Sequence, residues 1–187
     1  IVRPVHLTVD NLAHFNRNGI TLSTPDLEET YTSYQAAELN VSAKGYSDSV
    51  NADVYLKTTV FDAEGEIVAE ETGDNMAINP STAFNLTDDI RIENVNLWYP
   101  WNLGTPYLYT VRTELYLQKS GESEYTLVDS VDTEYGFRWF EVQETTEDPN
   151  SGGLYVNGQY TKVQGVDLHH DSGALGAASY TDAYERQ

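Results

Sequence analysis

The sequence predicts an all-β protein, an antiparallel β-sandwich of immunoglobulin-like architecture. Short runs in which apolar and polar residues alternate, the period of a half-buried strand, recur through the first 142 residues. Loops containing Gly, Pro, Asn or Ser separate them, and no helical stripe intervenes. With 187 residues, 40% of them hydrophobic, the chain can bury a proper core.

The candidate strands follow in order. "VHLTV" stands near the start. In "AAELNVSA", Ala37, Leu39, Val41 and Ala43 alternate with Glu38, Asn40 and Ser42. "DVYLKTTVF" puts Val54, Leu56 and Val60 on one face, and the polar "DAEGE" turn reverses the chain into "IVAEE", an antiparallel pair. "TAFNL" at Thr82, "DIRIENV" at Asp89, "LYTVRTELYLQ" at Leu108 and "YTLVDSVDTEYGF" at Tyr125 complete the set. The Cys, Trp, Cys arrangement of antibody domains is absent, so the immunoglobulin likeness is one of architecture.

After Val142 the character changes. "QETTEDPNSGG" is acidic and rich in turn formers, a linker. In "LYVNGQYTKVQGV", Asn157 and Gly158 supply the positive φ angles of a two-residue type I′ hairpin. "SYTDAYERQ" follows, with Thr181 placed to cap a helix and Asp182 in its first turn. The sequence thus divides into a sandwich, residues 1–142, and a tail, residues 143–187. The sandwich is the expected stable unit, with residues after Asp148 adding little to it.

Thirty Asp and Glu against ten Lys and Arg give a formal charge of -20, which repels phosphate backbones and anionic lipid surfaces. Neither nucleic acid nor membrane is an expected partner. No cysteine is present, so there is neither a disulfide framework nor a thiolate zinc site. No cofactor is called for. The opening "IVRPVHLTVD" has no initiator Met and no signal pattern, as expected of a piece of something longer. The compartment stays open between cytoplasm and cell surface or secretion.

Several motifs, in order, resemble those of glycoside hydrolase family 2, the β-galactosidases, β-glucuronidases and β-mannosidases. "NVNLWYPWNLGTPYLYTV" is similar to the family's Leu-Trp-x-Pro and Pro-x-Leu-Tyr signature, and "YGFRWFEV" to its Gly-Phe-Arg strand end. "LYVNGQYTKVQGVDLHHD" resembles its Asn-Gly hairpin running into a Gly-Val-x-x-His strand, and "VRPVHL" the start of its sandwich. The resemblance implies an N-terminal jelly roll, an immunoglobulin-like sandwich and a catalytic (β/α)8 barrel, of which this chain holds the sandwich, a hairpin and the first barrel strand. The remaining domains would then be its partners and a β-linked sugar the parent's substrate. "HHDSGALGAA" is similar to a version found in bacterial β-galactosidase-type members.

The resemblance also implies a retaining mechanism with two carboxyl groups about 5 to 5.5 Å apart. Both are Glu on later barrel strands, the acid/base following an Asn. No Asn-Glu dipeptide occurs here, so both catalytic Glu residues are assigned outside this chain. On a strand, Gly165, Asp167 and His169 share one face and Val166, Leu168 and His170 the other. In a barrel the apolar face meets the helices, so His169 and Asp167 point inward as candidate substrate-binding residues. His169 matches the family histidine beside the bound sugar.

A metal site of His169, His170 and Asp171 would need a sharp backbone turn, since adjacent strand residues face opposite ways, and is not expected. His6 and His14 are expected to be ordinary surface or partly buried residues. Trp98, Tyr99 and Trp101 could stack on sugars, but Trp98 is expected to fill the core or a domain seam, and Arg138 to brace the barrel against the sandwich rather than contact sugar. A stand-alone carbohydrate-binding or adhesive module is the competing reading. A calcium-stabilised module rests only on acidic loops such as "TEDPN".

Overall fold

The alternation in the sequence folds into two antiparallel sheets packed over one core. The structure, a computed structural model, describes residues 5, 7–144, 152–167, 173–176, 178 and 180–186. The chain forms two compact units, residues 10–161 and residues 1–9 with 162–187.

In the larger unit, β1 (Ala13–Ser23), β2 (Ala37–Ser47) and β6 (Thr82–Ile92) form one sheet in the order β1-β2-β6. The second sheet runs β4-β3-β7-β8, from β3 (Ala52–Phe61), β4 (Ile67–Thr72), β7 (Tyr109–Lys119) and β8 (Thr126–Tyr135), with β5 (Met76–Ile78) paired to the start of β3. Every pairing is antiparallel. The inward faces of β2, β6, β3 and β7 supply Leu39, Val41, Leu86, Ile90, Leu56 and Leu115 to the core. The "DAEGE" turn reverses the chain as expected, with Asp62 Oδ1 accepting from the backbone N–H groups of Glu64 and Glu66.

Several elements differ from the expectation. Leu7, Thr8 and Val9 of "VHLTV" are not in a strand, and the first strand is instead β1. Its "NRNG" carries a bulge: the register with β2 shifts between Phe15 and Ile20, and Asn18 takes φ 56°. "TAFNL" and "DIRIENV" are one continuous strand, β6. A helix, α1 (Leu27–Tyr34), joins β1 to β2; it buries Leu27 and ends at Gln35 in the left-handed conformation. Eight residues are too few to show a stripe by sequence, and packing on the sandwich holds the helix.

The hairpin forms as predicted, with β10 (Gly153–Val156) and β11 (Gln159–Thr161) flanking Asn157 at φ 51° and Gly158 at φ 74°. It does not stand apart from the sandwich. β10 pairs with β9 (Phe140–Gln143), which continues from the end of β8, giving a three-stranded sheet β11-β10-β9 inside the larger unit. The larger unit therefore runs to Thr161, with Val156 and Asn157 buried in it.

In the smaller unit, residues 162–167 take no regular secondary structure; an isolated strand has no neighbour to satisfy its backbone. A 3₁₀ turn spans Gly173–Leu175, and a short helix, α2, spans Thr181–Tyr184. Thr181 is the first helical residue rather than the cap; Tyr180 holds the N-cap position without a side-chain bond, and Asp182 lies in the first turn.

Candidate functional site

Of the two substrate-binding candidates, His169 lies outside the described residues, as do His6, His170 and Asp171. Asp167 is exposed in the irregular segment of the smaller unit, and Val166 beside it is exposed as well. His14 sits on β1 with Nδ1 3.0 Å from the Asn11 carbonyl oxygen. Among the described residues, no group of three His, Asp or Glu side chains is placed to hold a metal ion.

The most densely built constellation lies where "LWYPW", "YGFRWF" and the Asn-Gly hairpin meet. Phe137, fully buried, is held edge-on between Tyr109 and Tyr135, each ring centroid 5.1 Å away. The Tyr109 hydroxyl accepts from the Asn96 backbone N–H at 2.9 Å, and burial pushes its pKa up. Trp98 donates its backbone N–H to the Phe137 carbonyl at 2.9 Å. Gly136 makes this approach possible: a Cβ there would stand 2.8 Å from Trp98 Cβ.

Arg138 then lies over the Trp98 ring, its guanidinium carbon 4.8 Å from the centroid, while Nη1 donates to the Gly136 carbonyl at 2.9 Å. One face of Trp98 is thus taken by a cation instead of lying open to a sugar. Trp98 is half-buried, whereas Trp101 is 85% exposed. Trp139, packed against the core, donates from Nε1 to Glu141 Oε1 at 3.2 Å.

Asn157 ties the parts together. Its Nδ2 donates to the Trp98 carbonyl at 2.9 Å, its Oδ1 accepts from the Trp139 backbone N–H at 3.0 Å, and its own N–H donates to the Trp139 carbonyl at 3.1 Å. The sequence showed Asn157 as a turn former only, because the two groups it bonds are remote in the chain. The bonds made through Asn157 join one side-chain amide to the backbone of Trp98 and Trp139, an arrangement that suits a scaffold joint.

A second buried polar cluster lies in the core. Asp88 takes an inward position of β6 between Leu86 and Ile90, only 7% exposed, and faces Thr58 and Thr113, which pair across β3 and β7. Burial raises the carboxyl pKa of Asp88. The Thr58 hydroxyl beside it only partly counters this and makes no bond of regular geometry; Asp88 Oδ2, Thr58 Oγ1 and Thr113 Oγ1 are all unpartnered. The alternation Phe84, Leu86, Asp88, Ile90, Ile92 is the sequence signal that finds it.

The stretch from the end of β1 to Arg138, residues 22–138, matches the family described as "Glycosyl hydrolases family 2". The chain belongs to that family. This family 2 chain is 30% identical to "Beta-galactosidase BoGH2A" of Bacteroides ovatus over 187 residues, 100% of this chain and 20% of that protein. It is 26% identical to a "Putative beta-glucuronidase" of Formosa agariphila over 178 residues, 95% of this chain and 14% of that one. Among solved structures, a Bacteroides uniformis beta-glucuronidase superposes with a TM-score of 0.76 at 23% identity, covering 95% of this chain and 20% of that one, which bears on the fold. The family 2 chain therefore spans about a fifth or less of the length of these relatives.

Proposed function

We propose that this chain is the non-catalytic sandwich domain, with the hairpin and the first barrel strand, of a bacterial retaining family 2 glycosidase acting on a β-linked sugar in carbohydrate metabolism. The observation that carries the reading is the family match over residues 22–138, in relatives about five times longer than this chain. The joint of Trp98, Arg138 and Asn157 supports a scaffolding role, since it holds the hairpin to the sandwich. The β-galactosidase type is preferred on the 30% identity to a named β-galactosidase over the whole chain.

In this reading both catalytic Glu residues lie outside the chain, and residues 1–142 and 143–187 belong to sandwich and barrel approach respectively. His169 and Asp167 contact the sugar once a complete barrel surrounds them, with His169 nearest the mouth where (β/α)8 active sites lie. The alternative of a stand-alone carbohydrate-binding or adhesive module leaves the Asn-Gly hairpin and "GVDLHHD" without a purpose. The test is direct: the 187-residue chain incubated with nitrophenyl β-galactoside, glucuronide and mannoside should be inert, while the parent gene product hydrolyses one of them. Turnover by the chain alone that survives repurification sinks the reading.

A further inference from the structure

We infer that Asp88, Thr58 and Thr113 form a hydration site inside the sandwich, where one buried water molecule bridges the two sheets. The site belongs to the sandwich itself and is independent of the reaction the longer protein carries out.

Three strands bring the groups together. Thr58 on β3 and Thr113 on β7 are directly opposed in register and fully buried, so their side chains share the inward face. Asp88, at an inward position of β6, comes from the other sheet. The sheets are close at this level: Gly73 donates its N–H to the Leu56 carbonyl at 2.9 Å, and a Cβ on Gly73 would lie 3.5 Å from the Thr87 carbonyl oxygen and 3.6 Å from that of Leu56. Thr87 adjoins Asp88, and Leu56 shares the inward face of β3 with Thr58. The Thr58 hydroxyl is near enough to act on the Asp88 carboxyl.

Close as they are, these groups complete no direct bond of regular geometry. Asp88 Oδ2, Thr58 Oγ1 and Thr113 Oγ1 are all buried without a hydrogen-bond partner. Such orphans are costly, and each is expected to find a partner or an ordered water. The surrounding backbone is occupied, since β3 and β7 are each paired on both sides. Their side-chain neighbours along the same face, Leu56, Val60, Val111 and Leu115, are apolar. The three oxygens are therefore an enclosed polar island between two sheets.

The chemistry of the island selects water. A buried water makes about three hydrogen bonds. By donating to Asp88 Oδ2 and accepting from the Thr58 and Thr113 hydroxyls, it gives every orphan oxygen a partner. Metal ions ask for more: Ca²⁺ takes about six to eight oxygens and Mg²⁺ about six. One carboxylate and two hydroxyls fall short of that.

The experiment counts the water in the 187-residue chain. Oxygen-17 relaxation dispersion of the solvent reports water molecules held inside a protein and is blind to exchanging hydroxyl protons. The amplitude should fall by one water between the wild-type chain and Thr58→Val/Asp88→Leu/Thr113→Val, in which the polar groups are replaced together by apolar ones of similar shape so that the fold is kept. An unchanged amplitude overturns the proposal. A crystal structure of the wild-type chain decides the matter even if the triple variant fails to fold: a water should lie ~2.7 to 3.2 Å from all three oxygens. A direct Thr58–Asp88 hydrogen bond with no density between the three groups overturns the site. A density peak that gains anomalous scattering when rubidium replaces sodium overturns it in favour of a monovalent cation.

Discussion

Asn157 donates from Nδ2 to the Trp98 carbonyl at 2.9 Å, so the turn of a hairpin closes a loop 59 residues earlier in the chain. The same side chain accepts from the Trp139 N–H, so one buried amide holds both strands of approach to the hairpin. Asn157→Ala should cost about 2 to 4 kcal/mol, because two backbone groups lose their partner and φ 51° becomes strained. Asn157→Gly tolerates the φ and should recover about 1 kcal/mol of that loss. Thermal melts of the three proteins check it; an Asn157→Ala variant as stable as wild type would make the bonds incidental.

Truncation gives a second measure of the same joint. Within the larger unit, a chain of residues 10–148 should melt well below one of residues 10–161, since it lacks buried Val156 and both Asn157 side-chain bonds. A difference of more than ~5 °C is expected, as for a loss of ~2 kcal/mol in a domain of this size. Equal melting temperatures would show the hairpin to be an appendage.

Gly136→Ala should destabilise by about 1 to 3 kcal/mol, because the new Cβ meets Trp98 Cβ at 2.8 Å and its ring at 2.9 Å. If that overlap is the cause, the penalty should shrink in a Trp98→Gly background, which removes both the Cβ and the ring, and a double-mutant cycle reads the coupling. Additive losses would place the strain elsewhere.

Asp88 predicts a pH dependence of the core. Its pKa is raised by burial, so it binds its proton more tightly folded than unfolded, where a carboxyl titrates near ~3.9. Its contribution to stability therefore falls as pH rises from about 4 through the raised value, and then levels. The charge of Glu71 on β4 pushes in the same direction, whereas the backbone N–H of Asp89 opposes it. Asp88→Asn should raise the melting temperature at pH 7 and flatten this fall, with little effect below pH 4. Denaturant titrations from pH 3 to 8 check it; a variant less stable than wild type at pH 7 would mean that the ionised form is stabilised after all.

In the parent enzyme, His169→Ala should lower kcat/KM by roughly ten- to a thousandfold, ~1.4 to 4 kcal/mol of transition-state binding, while folding stays intact. His170→Ala is the control and should act mainly on stability. If His170→Ala costs more activity than His169→Ala at equal folded fraction, the strand faces the other way and His169 leaves the site.

The sequence by itself determined the sheets and the family. Leu39, Val41, Val54 and Leu56 lie inward because a strand alternates every second residue, a local rule that needs no partner, and the Asn-Gly turn follows from φ preferences of two adjacent residues. It left open whatever depends on groups distant in the chain. The strand containing "NRNG" forms because β2 pairs on both sides of its bulge, and α1 is too short to be helical without the sandwich beneath it. Asn157 becomes a clamp only when Trp98 and Trp139 arrive, and Phe140 and Val142 become an exposed face only when β10 sets which side is which. Tertiary structure decided these points because a buried polar group or an exposed apolar one is defined by what folds against it, and that information is not local.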